Sequence, residues 1–199
     1  MRRFAVVGHR AMARGKLPLN DLAGAAGRFD VLVRATTAAL LTSHGLRENV
    51  EVVLHLGGGP GPARRLRLHG ATLRGLHADE RSAAGMLGKA LSNPQPPRGQ
   101  WREVTAGLDE SGGTLSDTLR EWKETTVFVL DAEAPSLVGL LAEQPDLSTE
   151  DIAFVLSDDQ PLSEDDLGGH NVDRCSLGAQ WLQGHAAVHI VHWLLDAQA

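Results

Sequence analysis

Residues 173–196, DRCSLGAQWLQGHAAVHIVHWLLD, give the strongest indication of the fold that this chain of 199 residues is expected to adopt. A short strand is predicted over residues 172–177, and Gly178 follows it as a turn residue. From about Ala179 the apolar residues recur at the spacing of a helix with one buried face. A strand, a turn and a helix in this order leave free backbone N–H and C=O groups beside a cavity, where a small ligand can be held. The identity of that ligand stays open at this point.

Strands and helices alternate through the rest of the chain. Apolar runs predict strands at residues 2–9, 50–56, 63–69, 127–130 and 152–156, with shorter extended pieces within 70–76 and 101–107. Helical spacing predicts a helix that stops at Gly45, a second from Asp79 to Leu91, and others at residues 114–124, 135–141 and 163–167. This alternation is typical of an α/β domain with a mostly parallel sheet.

Three of the late strands end in loops of small or acidic residues. These loops begin at Leu130, at Ser157 and at Leu177. Ligands of parallel α/β sheets bind outside the carboxyl ends of the strands. The sequence therefore predicts that the three loops line one shared pocket.

The length and composition favour a single domain over residues 1–199. Apolar residues make up 42% of the chain, which is enough for a full core, and no apolar run approaches the roughly 18 residues of a membrane span. Cys175 is the only cysteine, so an internal disulfide is excluded and a reducing cytosol is expected. We expect Cys175 to act as a small buried hydrophobic residue.

The net charge of −6 is distributed unevenly along the chain. Residues 1–75 contain 12 basic and 4 acidic side chains, whereas residues 76–199 contain 7 and 21. This asymmetry predicts a basic binding face on an otherwise acidic protein. Abundant carboxylates with only three lysines suit a high-salt cytoplasm, although a genome rich in G and C explains the scarcity of lysine equally well.

Several familiar catalytic patterns are incomplete in this sequence. The glycines of residues 57–61 lack the spacing and the Lys-Ser/Thr pair of a phosphate loop, and we interpret them as a turn. No G-x-S-x-G elbow supports a hydrolase. No metal site is predicted: His185, His189 and His192 share one helix face and are interpreted as surface or subunit-interface residues.

One charged pair stands out in the basic half of the chain. Arg28 and Asp30 follow two glycines at the start of a predicted helix whose buried side carries Leu32, Ala35 and Leu40. The pair is either an ion pair at the helix entry or part of a catalytic site.

Four motifs in the expected order give the chain a family resemblance. They are D-L-x-G-x-x-G-R-x-D at 21–30, D-E-R at 79–81, the strand ending at Ser157-Asp158, and S-L-x-x-x-x-L at 176–182 followed by I-x-H-x-x-L-D at 190–196. Together they resemble the archaeal tRNA (pseudouridine-N1)-methyltransferases of the SPOUT superfamily. The similarity covers nearly the whole chain and is weakest across residues 93–125.

The resemblance implies a fold and an activity. It implies an α/β sheet flanked by helices with a C-terminal trefoil knot at about residues 126–199, a homodimer, and methylation of N1 of pseudouridine 54 in the tRNA T-loop with S-adenosylmethionine. By position, the cofactor pocket would be lined by Leu130, Ser157, Leu177, Gly178, Ala179, Gln180, Trp181 and Leu182. Two residues depart from the family pattern. Ser157 stands where a glycine is common, and Ala187 stands where some members have a cysteine.

Arg28 and Asp30 become the candidate catalytic residues of such an enzyme. Asp30 would orient or accept the N1 proton, and Arg28 would hold the uracil carbonyls or a nearby phosphate. The basic half, residues 1–75, would face tRNA through phosphate contacts from Arg10, Arg14, Lys16, Arg64, Arg65 and Arg67. Alternatives are a ribosomal RNA pseudouridine N1-methyltransferase, or a module of this fold that binds RNA or a ligand without catalysis. An ordinary Rossmann-type enzyme fits poorly, because its glycine fingerprint is missing.

Overall fold

The structure, a computed structural model, describes residues 1–198 and has an α/β architecture. The strands are β1 (Arg2–Gly8), β2 (Val50–Leu56), β3 (Arg64–His69), β4 (Arg102–Thr105), β5 (Leu108–Gly112), β6 (Thr126–Leu130), β7 (Ile152–Ser157) and β8 (Asp173–Cys175). The helices are α1 (Phe29–Leu40), α2 (Glu80–Leu91), α3 (Leu115–Glu121), α4 (Leu137–Glu143), α5 (Glu164–Leu167) and α6 (Gly184–Asp196), with a 3-10 turn at Pro145–Ser148.

All eight strands form one sheet in the order β4-β5-β3-β2-β1-β7-β6-β8. Five of them, from β2 to β8 in this order, are parallel, while β3, β5 and β4 extend the sheet as antiparallel strands. The predicted α/β class with a mostly parallel sheet is confirmed. Because β1 lies at the centre, the N-terminal and C-terminal parts of the chain contribute to the same sheet.

The two faces of the sheet carry separate hydrophobic clusters. The larger cluster packs α1, α2 and α6 against side chains such as Phe4, Leu54 and Phe154. The smaller one packs α3 and α5 against Val7, Val53 and other small residues. Apolar side chains buried on both faces explain why the central strands have nearly continuous hydrophobic sequences.

The prediction that the arginines of β3 contact RNA phosphates is wrong for Arg64 and Arg65. Arg64 and Arg65 are fully buried, since carboxylates and carbonyl groups on neighbouring elements surround both guanidinium groups. Arg65 donates to Glu121 at 2.9 Å and to the hydroxyl of Thr118 at 3.0 Å. Arg67 donates to Asp109 at 2.8 Å and lies 4.0 Å above the Trp101 ring. Because the charges of its arginines are paired with carboxylates, β3 can serve as an internal strand of the sheet.

Two further predictions about local structure are corrected. The helix predicted from Ala179 begins only at Gly184, because Gly178 adopts a positive φ of 129° and the chain crosses the strand ends before it turns into α6. No strand forms within residues 70–76, whereas β5, which was not predicted, pairs with β3. The helix expected to stop at Gly45 ends at Leu40.

His192 is a core residue, contrary to the expectation of a surface position. It is 3% exposed, and its Nε2 donates to the carbonyl of Ala39 at 3.0 Å. Burial, assisted by the positive charge of Arg47, lowers the pKa of His192 to about 4. The neutral ring therefore joins α6 to α1.

Cys175 is buried as expected, and burial raises the pKa of its thiol to about 12. This thiol is unreactive at neutral pH, because the thiolate is the nucleophilic form. Among residues 1–198, no helix is long and apolar enough to cross a membrane.

Candidate active site

A cavity of about 90 Å³ lies at the carboxyl ends of β6, β7 and β8. The parallel pairing of these strands brings their three terminal loops to one edge of the sheet. Its lining is Leu130, Asp131, Ala132, Leu156, Ser157, Asp158, Leu177, Gly178, Gln180, Trp181, Leu182, Gly184 and Ala187.

Seven of the eight residues assigned to a cofactor pocket by position line this cavity. The exception is Ala179, an exposed residue that is absent from the lining. The backbone of residues 177–182 forms one wall without helical structure, which lets N–H and C=O groups of this segment contact a ligand. A Cβ at Gly184, the first residue of α6, would lie 3.0 Å from Cδ1 of Leu156, so a larger residue there would require this leucine to shift.

A second cavity, of about 550 Å³, adjoins the first. The two share Ser157, Asp158, Trp181, Leu182 and Gly184 as a common wall. The second cavity differs in character because the polar side chains of α1 and α6 enter it, namely Arg28, Arg34 and His185. A small ligand in the first cavity would therefore lie beside a polar group bound in the second.

Arg28 lines this second cavity and forms an ion pair with the buried Asp30. Arg28 donates through Nε to Asp30 Oδ1 at 3.0 Å and through Nη2 to Oδ2 at 3.3 Å. Arg34, one helical turn further along, also bonds to Asp30 Oδ2. Asp30 is 3% exposed and lies behind the two arginines, outside the cavity lining. The carboxylate thus orients two guanidinium groups toward the cavity.

Arg28 has an unusual backbone conformation. Among residues 1–198 it is the only non-glycine residue with a positive φ, at 64°. Such strain costs of order 1–3 kcal/mol and is concentrated at functional sites. The hydrogen bonds to Asp30 outweigh burial and raise the pKa of Arg28 above its usual value. Its side chain also reaches Asp159, at 3.3 Å, beyond the end of β7.

Some residues of the two cavities were not assigned to a functional site from the sequence. Asp131, Asp158, Arg34 and His185 line one or both of them. The position of Arg34, four residues after Asp30 on a predicted helix, was the available signal, since residues at this spacing lie side by side. Asp158 was quoted only as part of the Ser157-Asp158 motif, and its side chain is fully buried.

The residues predicted to contact RNA are not all on the surface. Arg10, Arg14 and Lys16 are exposed in the loop after β1, while Arg64 and Arg65 are buried and cannot reach a phosphate. Arg10 bonds to Asp159, so this loop is attached to the rim of the second cavity. Arg67 is partly buried and already paired with Asp109.

The sheet and its two adjoining cavities define an α/β protein with a candidate small-ligand site at the carboxyl ends of parallel strands, beside an arginine-lined cavity. Over residues 1–199 the chain matches the family described as "Putative SAM-dependent RNA methyltransferase", and it belongs to that family. The resemblance found in the sequence is therefore confirmed.

Individual relatives agree with this membership. The chain is 35% identical over 199 residues to the tRNA (pseudouridine(54)-N(1))-methyltransferase of Methanocella arvoryzae, which covers 98% of this chain and 99% of the relative. It is 36% identical over 198 residues to the enzyme of the same name from Thermococcus gammatolerans, with 96% and 95% coverage.

Among solved structures, the chain is similar to Archaeoglobus fulgidus Nep1, which was crystallised with S-adenosylhomocysteine. The TM-score is 0.66 with 13% sequence identity, and the alignment covers 98% of this chain and 97% of Nep1. At this identity the likeness supports the fold alone.

Proposed function

We propose that this protein transfers a methyl group from S-adenosylmethionine to N1 of pseudouridine 54 in the T-loop of tRNA. The observation that carries the proposal is the common wall of the two cavities, which places a small-ligand pocket directly beside an arginine-lined one. The names of the relatives, which share about a third of the sequence over nearly its full length, support the choice of nucleotide.

The first cavity suits S-adenosylmethionine. Small and apolar residues such as Leu130, Leu177 and Ala187 line it, and the irregular backbone after Leu177 offers groups for polar contacts. Ser157, where the family pattern commonly has glycine, is half-buried in the lining and leaves the cavity open. When bound, the cofactor supplies an electrophilic methyl group. No phosphate loop is needed for such a ligand.

The second cavity suits the target base. The guanidinium groups of Arg28 and Arg34 are donors that match the carbonyl oxygens of a uracil ring. Both oxygens of Asp30 accept from these arginines, which favours an orienting role for Asp30 over direct removal of the N1 proton. Alignment of the base with the methyl group can remove a large share of the activation barrier of a displacement reaction.

The RNA is expected to reach this cavity across the loop after β1. Arg10, Arg14 and Lys16 are exposed there, and Arg10 lies at the rim through its bond to Asp159. Cationic side chains of this kind bind the phosphate backbone and give a salt-dependent affinity. The proposed tRNA face is therefore smaller than the sequence suggested, because two of the arginines of β3 are internal.

Broader features of the protein belong to the same proposal. We expect one domain, with RNA bound by the N-terminal half, the cofactor bound at about residues 126–199, and a cytoplasmic location. We also expect a homodimer, since Trp193 of α6 is 69% exposed and Trp181 is 67% exposed. The trefoil knot implied by the family resemblance stays a prediction.

The substrate test uses labelled S-adenosylmethionine and two T-loop transcripts that differ only at the target, uridine in one and pseudouridine in the other. Label in the pseudouridine transcript alone is expected. A ribosomal RNA fragment that contains pseudouridine is the matched competitor, and preferential labelling of it would favour the ribosomal RNA alternative. Cofactor binding without transfer to any RNA would favour the non-enzymatic module.

A further inference from the structure

His9, the first residue after β1, lies between two carboxylates. Its Nδ1 is 3.0 Å from Asp158 Oδ1, and its Nε2 is 3.2 Å from Asp166 Oδ2. Ionised carboxylates only accept hydrogen bonds, so both ring nitrogens must carry a hydrogen for both contacts to form. The geometry therefore fits the doubly protonated imidazolium ring.

Asp158 connects His9 with the two cavities. Besides the ring, it accepts the backbone N–H of His9 at 2.8 Å and that of Gln160 at 3.0 Å. Its own N–H donates to the carbonyl of Val7 at 2.8 Å. Asp158 and its neighbour Ser157 both line the common wall of the cavities. The position of this wall thus depends on contacts with His9.

The arginines of the neighbouring segments pair with another carboxylate, so the His9 ring bonds to Asp158 and Asp166. Arg10, next in the chain, and Arg28, at the start of α1, both bond to Asp159. On α5, Asp166 also accepts the N–H of Ser163 at 2.8 Å, which fixes its position. Burial opposes a charged ring, but the hydrogen bonds to Asp158 and Asp166 outweigh it and raise the pKa of His9 above 6.5.

We propose that His9 is a positioning residue: its imidazolium ring links α5 to the loop after β7 and holds the common wall of the cavities in the shape that binds S-adenosylmethionine. The inference rests on the proposed function for the identity of the ligand. When His9 loses its proton, at least one of the two hydrogen bonds is lost, and affinity for the cofactor falls.

The test measures the dissociation constant of S-adenosylmethionine by calorimetry between pH 6 and pH 9 for the wild type and three variants. His9→Asn keeps an amide donor for Asp158 but cannot carry a positive charge. Asp166→Asn keeps an acceptor for His9 but removes the negative charge. Asp165→Asn, at an exposed neighbouring position, is the control for the loss of a charge on α5.

We expect His9→Asn to bind at least about threefold more weakly than the wild type at pH 6, with the difference disappearing at pH 9, where both lack the charge. Asp166→Asn should move the midpoint of the wild-type pH dependence to lower pH, and Asp165→Asn should leave it in place. If the dissociation constant of His9→Asn divided by that of the wild type were the same at pH 6 and pH 9, the proposal would be overturned.

A second measurement does not depend on the variants folding. Nitrogen chemical shifts of the His9 ring in the wild-type protein report its protonation directly, and a midpoint above 6.5 is expected. A neutral ring at pH 6 would overturn the proposal. Methyl transfer together with a neutral His9 would reject this inference alone, whereas a wild type that binds no S-adenosylmethionine would reject the proposed function as well.

Discussion

Arg64 donates through Nη1 to Oε2 of Glu110 at 3.1 Å, and neither side chain is exposed to solvent. The pair joins β3 to β5, and Arg64 also donates to the carbonyl of Asn93 at 2.9 Å. Arg102 bonds to the same carboxylate from β4. An arginine that looked like an RNA contact in the sequence is therefore part of the interior.

Removing Glu110 should destabilise the fold strongly. Glu110→Ala leaves Arg64 buried without its partner, and breaking a buried pair in this way typically costs about 3–5 kcal/mol. Glu103→Ala, at an exposed position on the neighbouring strand, is the control and should change stability by less than about 0.5 kcal/mol. Urea unfolding at pH 7 measures both, and equal stabilities would contradict a structural role for the pair.

Gly27 should not tolerate a side chain. It has a φ of 66°, and a Cβ would lie 1.8 Å from the carbonyl oxygen of Arg10. We expect Gly27→Ala to lower stability by at least about 2 kcal/mol, since both strain and a backbone clash act against it. Gly45→Ala has open space and should cost little. Thermal unfolding compares the two, and similar melting temperatures would refute the predicted clash.

Asp117 should make stability sensitive to acid. Burial opposes its charge, but hydrogen bonds from Arg98 and from the backbone of Thr114 outweigh burial and lower its pKa below 3.8. Its contribution is therefore present above pH 3.8 and is lost as the pH falls through the lower pKa of the folded state. Asp117→Asn should be less stable than the wild type at pH 7, and the gap should narrow toward pH 3. A difference in stability between the variant and the wild type that stays constant from pH 7 to pH 3 would contradict this prediction.

The salt dependence of tRNA binding should show whether the exposed basic loop after β1 contacts the RNA. Each of Arg14 and Lys16 is expected to contact one phosphate, so the double variant Arg14→Ala/Lys16→Ala should reduce the slope of log affinity against log salt by roughly 2. Lys123→Ala, far along the chain and 3.6 Å from Glu124, is the control. Filter binding of tRNA between 50 and 300 mM salt measures the slope, and an unchanged slope would remove this loop from the interface.

Asp30→Asn should slow methyl transfer without weakening the binding of the cofactor. The variant loosens Arg28 and Arg34, and misplacement of about 1 Å can cost roughly a hundredfold in rate. Asp30 lies outside the lining of the cofactor cavity, so the dissociation constant of S-adenosylmethionine should stay within about twofold. Glu80→Gln, whose carboxylate is 3.9 Å from Arg34, is the matched control. An unchanged rate at saturating substrates would exclude Asp30 from the site.

Much of the framework could be predicted from local sequence. Strand β2 begins and ends where its apolar run does, and α2 follows its Asp79 cap, because burial and capping leave a direct trace in the residue pattern. The pocket at the ends of β6, β7 and β8 followed from parallel strands alone.

What escaped prediction depends on contacts between distant residues. Arg64 lies 46 positions from Glu110, so its alternation with leucines looked like a surface pattern. His192 was assigned to the surface because its buried partner, the carbonyl of Ala39, is 153 residues away. His9 and Asp158 are 149 residues apart, and their pairing appears only once β1 and β7 lie side by side.

The most direct test of the proposed activity is the identity of the methylated nucleoside. After reaction with tRNA carrying pseudouridine at position 54, the RNA is digested to nucleosides and analysed by mass spectrometry. We expect 1-methylpseudouridine, at one equivalent per tRNA and mapped to position 54. Recovery of the methyl group on any other nucleoside, or unmodified tRNA after incubation with a protein that binds S-adenosylmethionine, would contradict the proposed function.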